Sequence, residues 1–322
     1  MKLHSMAISG LMTINLHSLN NEGAEGNYLQ TRQVQVVDEQ GKLSSVNAIS
    51  GDMFKHIQAE HLYLTAKETG LPLCNGCQKF DANRIVSDQE FAAGFAKDVS
   101  DTEVLSAALK RCVIDDLEGI LITSEVGGKK RAISRKSILE FGWVVGRPET
   151  TQTDSYFHVK YAPEGRGKGS GDETGAANTG QNIFHRPASS GQYALVLNLD
   201  LYRIGFNDII REYILEPRER ETRVKALLKS VLFTFLKPNG ALRNTQNPHI
   251  VNFEGTIALS ANTIPAPMAS ALNKNYRAEI EQIATSLNKI QPEAIAIKTY
   301  NSLAEFSGVM EEIIGQVQPY GS

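Results

Sequence analysis

The chain has few cysteines, a single tryptophan and no long apolar run. Three cysteines among 322 residues do not make the disulfide framework of a small secreted protein, so we expect the reducing cytoplasm as the compartment. No run of about 18 apolar residues occurs, so the sequence predicts no membrane-spanning helix. The first residues lead directly into an alternating strand, a pattern that does not fit a signal peptide.

Positive charge is not in excess either. The formal net charge is -3 at pH 7, and 41% of the residues are apolar and 21% charged, as in ordinary globular proteins. This balance excludes a uniformly basic coat for nucleic acid. A local basic groove is still compatible with it, because binding depends on where the charges lie. No internal repeat or change of composition divides the chain, so we predict one domain over residues 1–322 with large insertions.

The N-terminal stretch has the clearest pattern. Residues 5–17 alternate with period two and predict a strand, and the polar loop of residues 17–27 follows. A second extended run contains Val34 and Val36, and Ser50 then opens a predicted helix. The predicted buried face of this helix carries Phe54, Ile57, His61 and Leu64. Strand, long loop, strand and helix together predict a mixed sheet domain.

The rest of the chain predicts further elements of an α+β protein. Residues 70–118 read as a helical insertion, with a capping box formed by Ser100 and Glu103. Trp143 is interpreted as a core residue, the commoner position for this side chain. Helices are predicted at residues 218–236, 276–290 and after Ser302, and strands at residues 192–206, 248–260 and 294–300.

A basic run lies between predicted strands. Residues 127–147 contain six basic residues and one acid, Glu140, in a chain of net charge -3. The basic residues are Lys129, Lys130, Arg131, Arg135, Lys136 and Arg147. More positive charge follows at Lys160, Arg166 and Lys168. A solvated surface explains an isolated run, but two neighbouring runs favour a track for phosphates.

Residues 147–188 are the least regular part of the sequence. The segment EGRGKGSGDETGAANTGQN contains six glycines and almost no apolar residues, so we predict a flexible, thumb-like projecting loop. A mononucleotide-binding P-loop is not indicated, because Gly169 follows Lys168 where Ser or Thr is required. Phe184, after this segment, is a candidate for stacking on a base or for packing under the loop.

Cys74 and Cys77 have the spacing of zinc ligands, but a second cysteine pair is missing. His56 and His61 are the residues that we considered for completing a tetrahedral set. Cys112 falls on an apolar helix face and is interpreted as a core residue. The sequence therefore requires no cofactor, and a structural zinc ion at Cys74 and Cys77 is the candidate that remains.

Two stretches of the sequence resemble a known family. Residues 18–62 contain SLNNEGAEGN and VNAISGDMFKHIQAEHL, and residues 178–195 read NTGQNIFHRPASSGQYAL. Both are similar to the DevR branch of the CRISPR-associated backbone subunits, which form the repeated spine of type I RNA-guided surveillance complexes (Cascade). The resemblance extends over about residues 5–255.

This resemblance implies a fold and a role. The implied fold is an RRM-like (ferredoxin-like) palm, with residues 70–118 as a helical finger and residues 147–188 as a thumb. The implied role is to bind CRISPR RNA in several copies lying head to tail and to present it for pairing with target DNA. Further implied partners are the small cap, large and RNA-processing subunits of Cascade.

Specific residues follow from the resemblance together with the basic run. The candidates for contacting RNA are Asn20, Asn21, Arg32, Lys55, His56, Lys129, Lys130, Arg131, Arg135 and Lys136. The candidates for contacting a base or the adjacent subunit are Phe184, His185 and Arg186.

Two other functions are open at this point. Related backbone subunits of type III complexes cut target RNA with a loop aspartate, which implies a metal-dependent endonuclease as an alternative. The matching loop here has Asn20, Asn21 and Glu22 instead, so we do not expect an enzyme. A DNA-binding regulator would need a recognition helix such as a helix-turn-helix, and the sequence pattern does not predict one.

Overall fold

The computed structural model describes residues 1–161, 181–242 and 244–321. Its architecture is mixed α+β, with one large, mainly antiparallel sheet and helices on both faces. The segment 162–180, which holds most of the glycine-rich stretch together with Arg166 and Lys168, lies outside the described residues. Within the part of the chain that the structure describes, no helix is both long and apolar enough to cross a membrane.

The secondary structure begins with strands, continues with a helical stretch and ends with both. The strands are β1 (Lys2–Leu3), β2 (Ser5–His17), β3 (Asn21–Glu25), β4 (Tyr28–Thr31), β5 (Gln33–Val37), β6 (Leu43–Ile49), β7 (Ile120–Ile122), β8 (Glu125–Val126), β9 (Lys129–Lys130), β10 (Ile133–Arg135), β11 (Leu139–Phe141), β12 (Val144–Gly146), β13 (Gln152–Tyr161), β14 (Gln181–Leu199), β15 (Phe206–Asn207), β16 (Glu212–Tyr213), β17 (His249–Ser260), β18 (Ile295–Tyr300) and β19 (Gln318–Pro319). The helices are α1 (Gly51–Thr69), α2 (Asn75–Gln78), α3 (Gln89–Ala93), α4 (Asp101–Arg111), α5 (Val113–Glu118), α6 (Pro217–Leu236), α7 (Tyr276–Ile290) and α8 (Leu303–Gln316).

The main sheet follows the strand order β18-β17-β2-β14-β12-β6-β5, and each neighbouring pair is antiparallel. The predicted strand at residues 5–17 is confirmed and lies inside the sheet as β2. Its alternation sends Met6 and Ile8 into the main core, and sends Leu11 into a smaller cluster on the other face. Both faces of β2 are therefore buried, as expected for a central strand.

Helices cover the two faces unequally. On one face, α1, α6 and α8 contribute to the main core around Phe54, Phe235 and Phe306. On the other face, α7 packs through Tyr276 and Ile280 in the smaller cluster. The helices predicted at residues 218–236 and 276–290 are confirmed, the second with the same bounds.

Local capping explains where several helices begin. The hydroxyl of Ser50 accepts a hydrogen bond from the Met53 amide at 3.1 Å, which fixes the start of α1. The predicted capping box is confirmed, because the side chains of Ser100 and Glu103 each bond the backbone amide of the other. Between residues 70 and 118 the structure contains α2 to α5 and a 3-10 turn at Arg84–Ser87.

The loop predicted at residues 147–188 is wrong in its described parts. There β13 and β14 form a long antiparallel hairpin, here called the arm, paired from Gln152 with Ser190 to Tyr161 with Gln181. The prediction relied on the glycine-rich composition and overlooked the alternating pattern of residues 152–161 that precedes it. Tyr156 and Phe157 belong to a run of β-formers that extends the ladder. The strand predicted to start at residue 192 accordingly begins at Gln181 and ends at Leu199.

Candidate nucleic-acid interface

Two cavities meet at the N-terminal end of α1. Both are lined by Asp52 and Lys55, so they form one continuous concave surface. The first has a volume of about 250 Å³ and also contacts His56 and Arg84. Three basic side chains therefore face this cavity together with the carboxylates of Asp52 and Asp81.

The second cavity continues this concave surface toward the sheet, and its lining also includes the carboxylate of Glu140. It has a volume of about 360 Å³ and is lined by Lys136 and Trp143 in addition to Lys55. The guanidinium of Arg32 lies over the Trp143 ring, 5.2 Å from its centroid. We define the basic track as Arg32, Lys55, His56, Arg84, Lys136 and Trp143.

Trp143 was expected in the core, and the structure corrects this. Its side chain is 43% exposed. An exposed indole next to positive side chains is suited to stacking on a nucleic-acid base, an interaction worth about 1–3 kcal/mol per base. Arg32, whose guanidinium lies over this ring, also forms an ion pair with Glu22 of β3. Sequence reasoning missed Trp143 because neither its spacing nor its neighbours indicate exposure.

The first turn of α1 forms part of this surface. Gly51 and Asp52 line the second cavity. A Cβ atom on Gly51 would lie 2.5 Å from the carbonyl oxygen of Phe141, so only glycine lets this turn pack directly on β11. Backbone N–H groups at a helix N-terminus attract phosphate, an effect that the Asp52 carboxylate partly offsets.

Asn20 supports this turn from inside the molecule. It is 6% exposed, and its Oδ1 accepts a hydrogen bond from the Ser50 amide at 2.8 Å. Its carbonyl oxygen accepts from the backbone amide of Arg32 at 3.3 Å. A direct contact with RNA does not fit this burial, so Asn20 is a positioning residue for α1 and Arg32. Asn21 is half-buried, accepts a hydrogen bond from the Ser18 hydroxyl at 2.7 Å and stays a predicted contact.

Lys55 is partly held by its own chain. Its Nζ donates to the carbonyl oxygen of Glu118 at 3.2 Å, and burial lowers the pKa of Lys55. The Glu118 carboxylate is itself buried, and this burial raises its pKa, although Lys55 and Arg84 oppose the rise. The lysine therefore stands at a fixed place in the wall of the track.

Arg135 does not reach this surface, contrary to prediction. It is 3% exposed and forms ion pairs with Asp116 at 2.9 Å and Asp208 at 2.7 Å. Asp116 also receives Arg223 at 2.9 Å. Both guanidinium groups stabilise the junction between α5, α6 and β10, so Arg135 has no free donor face for a phosphate. Arg135 follows Ile133 by two residues and therefore lies on the same buried face of β10, which is the sequence signal that was missed.

Arg131 is also structural rather than exposed. It is 5% exposed, and its guanidinium bonds Asp101 at 2.5 Å and the carbonyl oxygen of Val99 at 2.8 Å. The prediction that it contacts RNA is therefore wrong. Lys129 and Lys130, on the same short hairpin, are exposed and stay predicted contacts outside the basic track.

The middle of the arm carries the predicted thumb residues, which pair with residues 156–158 of β13. The His185 ring stacks on Tyr28, with centroids 4.1 Å apart and planes 3° apart. The Arg186 guanidinium lies over Phe184, 4.8 Å from its centroid, and donates to the Thr245 hydroxyl at 3.2 Å. All three predicted residues are half-buried and partnered within the chain.

More accessible rings lie beside them. Tyr28, Tyr156 and Phe157 are 53%, 45% and 57% exposed. Because Tyr28 contacts His185, the two stretches of family-like sequence meet here. These exposed rings are better placed than Phe184 to stack on a base or a neighbouring molecule. The alternation in residues 152–161 was the signal that could have identified them.

His17 is the last residue of β2, and its burial predicts that the stability of the chain depends on pH. It is 2% exposed, and its Nε2 has no hydrogen-bond partner within the described part of the chain. Burial lowers the pKa of His17 to about 4. The unfolded chain, with an ordinary pKa near 6.5, binds the proton more readily. The free energy of unfolding should therefore fall by about 3 kcal/mol as pH drops from about 6.5 to 4.

Denaturant unfolding of the natural chain and of His17→Gln at pH 7 and pH 4.5 measures this effect. The carboxylates titrate in both proteins. The difference between the two losses of unfolding free energy on acidification therefore isolates the contribution of His17. We expect the variant to lose less stability on acidification. Equal losses in both proteins would contradict the assignment.

Three cysteines and one aspartate form a buried cluster in the helical insertion. The potential ligand atoms of Cys74, Cys77, Cys112 and Asp115 all lie within 4.8 Å of one another. His61, considered as a ligand from sequence, instead bonds the carbonyl oxygen of Lys237 at 2.9 Å. Cys112 is buried as predicted, but its sulfur belongs to the cluster.

His56 does not belong to this cluster either, and packs against the Phe80 ring. Among the cysteines, hydrogen bonds from the Cys112 and Cys77 thiols lower the pKa of Cys74 to about 5. Hydrogen bonds with Cys112 and Cys74, together with burial, raise the pKa of Cys77.

Comparisons with known proteins agree on one family. The family described as CRISPR-associated negative auto-regulator DevR/Csa2 matches residues 8–281. A relative from Methanocaldococcus jannaschii, the CRISPR-associated protein Cas7/Cst2/DevR, is 26% identical over 239 residues, which cover 70% of this chain and 72% of the relative.

Two solved structures resemble the chain along its length. A chain of a "CRISPR RNA-guided surveillance complex, pre-nicking" has a TM-score of 0.49 and 11% identity, covering 97% of this chain and 99% of that one. A chain of a "CRISPR RNA-guided surveillance complex" has a TM-score of 0.46 and 12% identity, with coverages of 97% and 98%. Since the family match extends over most of the sequence, the chain belongs to the CRISPR-associated DevR/Csa2 family.

Proposed function

We propose that this chain is a backbone subunit that holds CRISPR RNA in a type I Cascade complex. The observation that carries the proposal is the basic track, which gathers positive side chains and an exposed indole in a chain of net charge -3. Lysine and arginine grip the phosphate backbone whatever the sequence, while the bases are left to pair with target DNA.

An RRM-like palm is the proposed core of the fold. The order β17-β2-β14-β12, with α1 after β2 and α6 after β14, corresponds to the βαββαβ arrangement of ferredoxin-like domains. In RRM domains the open face of the sheet stacks on RNA bases. Here α7 packs on that face through Tyr276 and Ile280. The RNA is therefore proposed to lie along the basic track at the end of α1.

The arm suits contacts with a second copy of the chain. Its exposed rings are Tyr156 and Phe157, and the exposed ring of Tyr28, from β4, stacks on His185 of the arm. If copies repeat head to tail, an interface that does not close on itself produces a helical filament along the RNA. The small cap, large and RNA-processing subunits are proposed to complete such a complex.

Holding RNA, rather than cutting it, is the proposed activity. Within residues 17–27, which were predicted as a loop but contain strand β3, Glu22 pairs with Arg32 and Glu25 accepts a hydrogen bond from Gln30 at 2.9 Å. Residues 17–27 contain no aspartate. These contacts give no support to metal-dependent cleavage at this position, the mechanism of the type III alternative.

Expression from the native operon, followed by affinity purification, tests the proposal. We expect short RNA of uniform length to co-purify and to remain uncut when Mg²⁺ is added. Protein that carries no RNA, although the operon supplies its CRISPR transcripts, would contradict RNA holding. Cleavage of a complementary RNA would instead favour the type III alternative.

A further inference from the structure

We propose that Cys74, Cys77, Cys112 and Asp115 bind one Zn²⁺ ion that joins the first and last segments of the helical insertion. Cys74 is the N-cap of α2 and Cys77 lies within that helix, whereas Cys112 is the N-cap of α5 and Asp115 lies in its first turn. These positions are 35 or more residues apart in sequence, as Cys112 follows Cys77 by that number. The ion would thus join two segments that the chain connects only through a long loop and two further helices.

The geometry fits a tetrahedral ion. All four ligand atoms already lie within 4.8 Å of one another, and all four residues are buried. Zinc-sulfur bonds of about 2.3 Å place tetrahedral ligand atoms roughly 3.8 Å apart. Closing the cluster onto an ion therefore requires shifts of about 1 Å or less, which side-chain rotations supply.

The first two ligands have the backbone arrangement of a metal-binding turn. The amide of Cys77 donates to the sulfur of Cys74 at 3.3 Å, so Cys74 caps α2. An N–H group directed at a sulfur stabilises its thiolate form, which is the form that binds metal. Both cysteines are buried, with exposures of 0% and 1%.

Asp115 supplies an independent observation. Its side chain is 0% exposed, and neither carboxylate oxygen has a hydrogen-bond partner among the residues that the structure describes. The adjacent Asp116 is equally buried, but it forms ion pairs with Arg135 and Arg223 and accepts a hydrogen bond from the amide of Gly205. Buried carboxylates are normally paired or coordinate a metal. A cation at the thiol cluster would give Asp115 the partner that its neighbour already has.

Other occupants fit less well. Three thiols form at most one disulfide, which would leave Asp115 without a counter-charge. Mg²⁺ and Ca²⁺ prefer oxygen ligands, whereas thiolates select zinc and iron–sulfur clusters. An iron–sulfur cluster of the ordinary kind takes four cysteines, and the chain has three. Zinc accepts mixed sulfur and carboxylate ligands in tetrahedral geometry.

Metal analysis of the full chain, purified under reducing conditions without chelator, tests the site. We expect one equivalent of zinc per chain, and release of that zinc as the three thiols are titrated. The Cys112→Ser variant should retain at most about a tenth of the zinc. Absence of zinc from protein with three reactive thiols, or an equivalent of iron in its place, would overturn the proposal.

A matched control separates lost ligation from lost packing. Val113 is 0% exposed and adjacent to Cys112, but it offers no ligand atom. The Val113→Ala variant should be less stable and keep its full equivalent of zinc. If it loses as much zinc as Cys112→Ser, zinc content reflects folding rather than ligation, and the assignment is wrong.

Cobalt substitution tests the role of Asp115 directly. Co²⁺ in a tetrahedral thiolate site has intense visible absorption that depends on the ligand set. The Asp115→Asn variant should still bind Co²⁺ through three sulfurs, but with a shifted spectrum and weaker affinity. An unchanged spectrum and affinity would exclude Asp115 as a ligand.

Discussion

Replacing Asp116 with alanine is expected to destabilise the chain by about 3–5 kcal/mol, enough to unfold many domains. Asp116 accepts ion pairs from Arg135 and Arg223, and all three side chains are 0% exposed. Its carboxylate also accepts from the Gly205 amide at 3.1 Å. Alanine would leave two buried guanidinium groups short of their shared counter-charge. Denaturant unfolding followed by circular dichroism measures the loss.

An exposed ion pair provides the control. Glu312 pairs with Lys298 at 2.9 Å, but both side chains are about two-fifths exposed. The Glu312→Ala variant should lose at most about 1 kcal/mol, because solvent screens such pairs. The stability loss of Asp116→Asn should lie between those of the two alanine variants, since asparagine keeps the side-chain volume and some of the hydrogen bonds. If Asp116→Ala were as mild as Glu312→Ala, the arginine junction would not determine stability.

The second large effect concerns RNA. The double variant Lys55→Gln and Lys136→Gln removes two positive charges that line the same cavity. We expect affinity for single-stranded RNA to fall by about one order of magnitude for every sequence tested. The slope of log affinity against log salt concentration should become shallower by about 0.7 for each phosphate that is no longer neutralised. Binding titrations at several salt concentrations measure both quantities.

The control makes the same charge change elsewhere. Lys229, on α6, lines a cavity near the C-terminal end of α1 together with Thr65 and Thr69. Lys289, on α7, is exposed on a helix that packs against the other face of the sheet. The Lys229→Gln and Lys289→Gln double variant should bind RNA like the natural chain. Equal weakening by both double variants would show that net charge, rather than the basic track, governs binding.

The buried arginines also change how the basic run should be tested. Charge reversal at Arg131 would break its bond to Asp101 and its hydrogen bond to the Val99 carbonyl, so it would report on folding. Lys130 is exposed and remains a valid position for a binding variant. The basic run of residues 127–147 therefore contains two buried, structural arginines, Arg131 and Arg135, as well as exposed lysines.

Periodicity and capping, which depend on neighbouring residues, were readable from the sequence. The alternation of β2, the Ser100 capping box and the bounds of α7 were predicted, because local hydrogen bonds and one buried face decide them. The arm was missed although residues 152–161 alternate, because this local pattern does not show that β13 and β14 pair with each other across a long intervening segment. Such pairing depends on a partner strand that no local window contains.

The sequence by itself determined the family, the α+β class and most helix and strand positions, since these follow from local patterns and two long characteristic stretches. Only the tertiary structure decided which charges are exposed. It buried Arg135 against Asp116, placed Lys55 beside Lys136 and brought Asp115 to three thiols. The physical reason is that burial and counter-charges come from segments distant in sequence, and these determine whether a charged side chain stabilises the fold or remains free to bind.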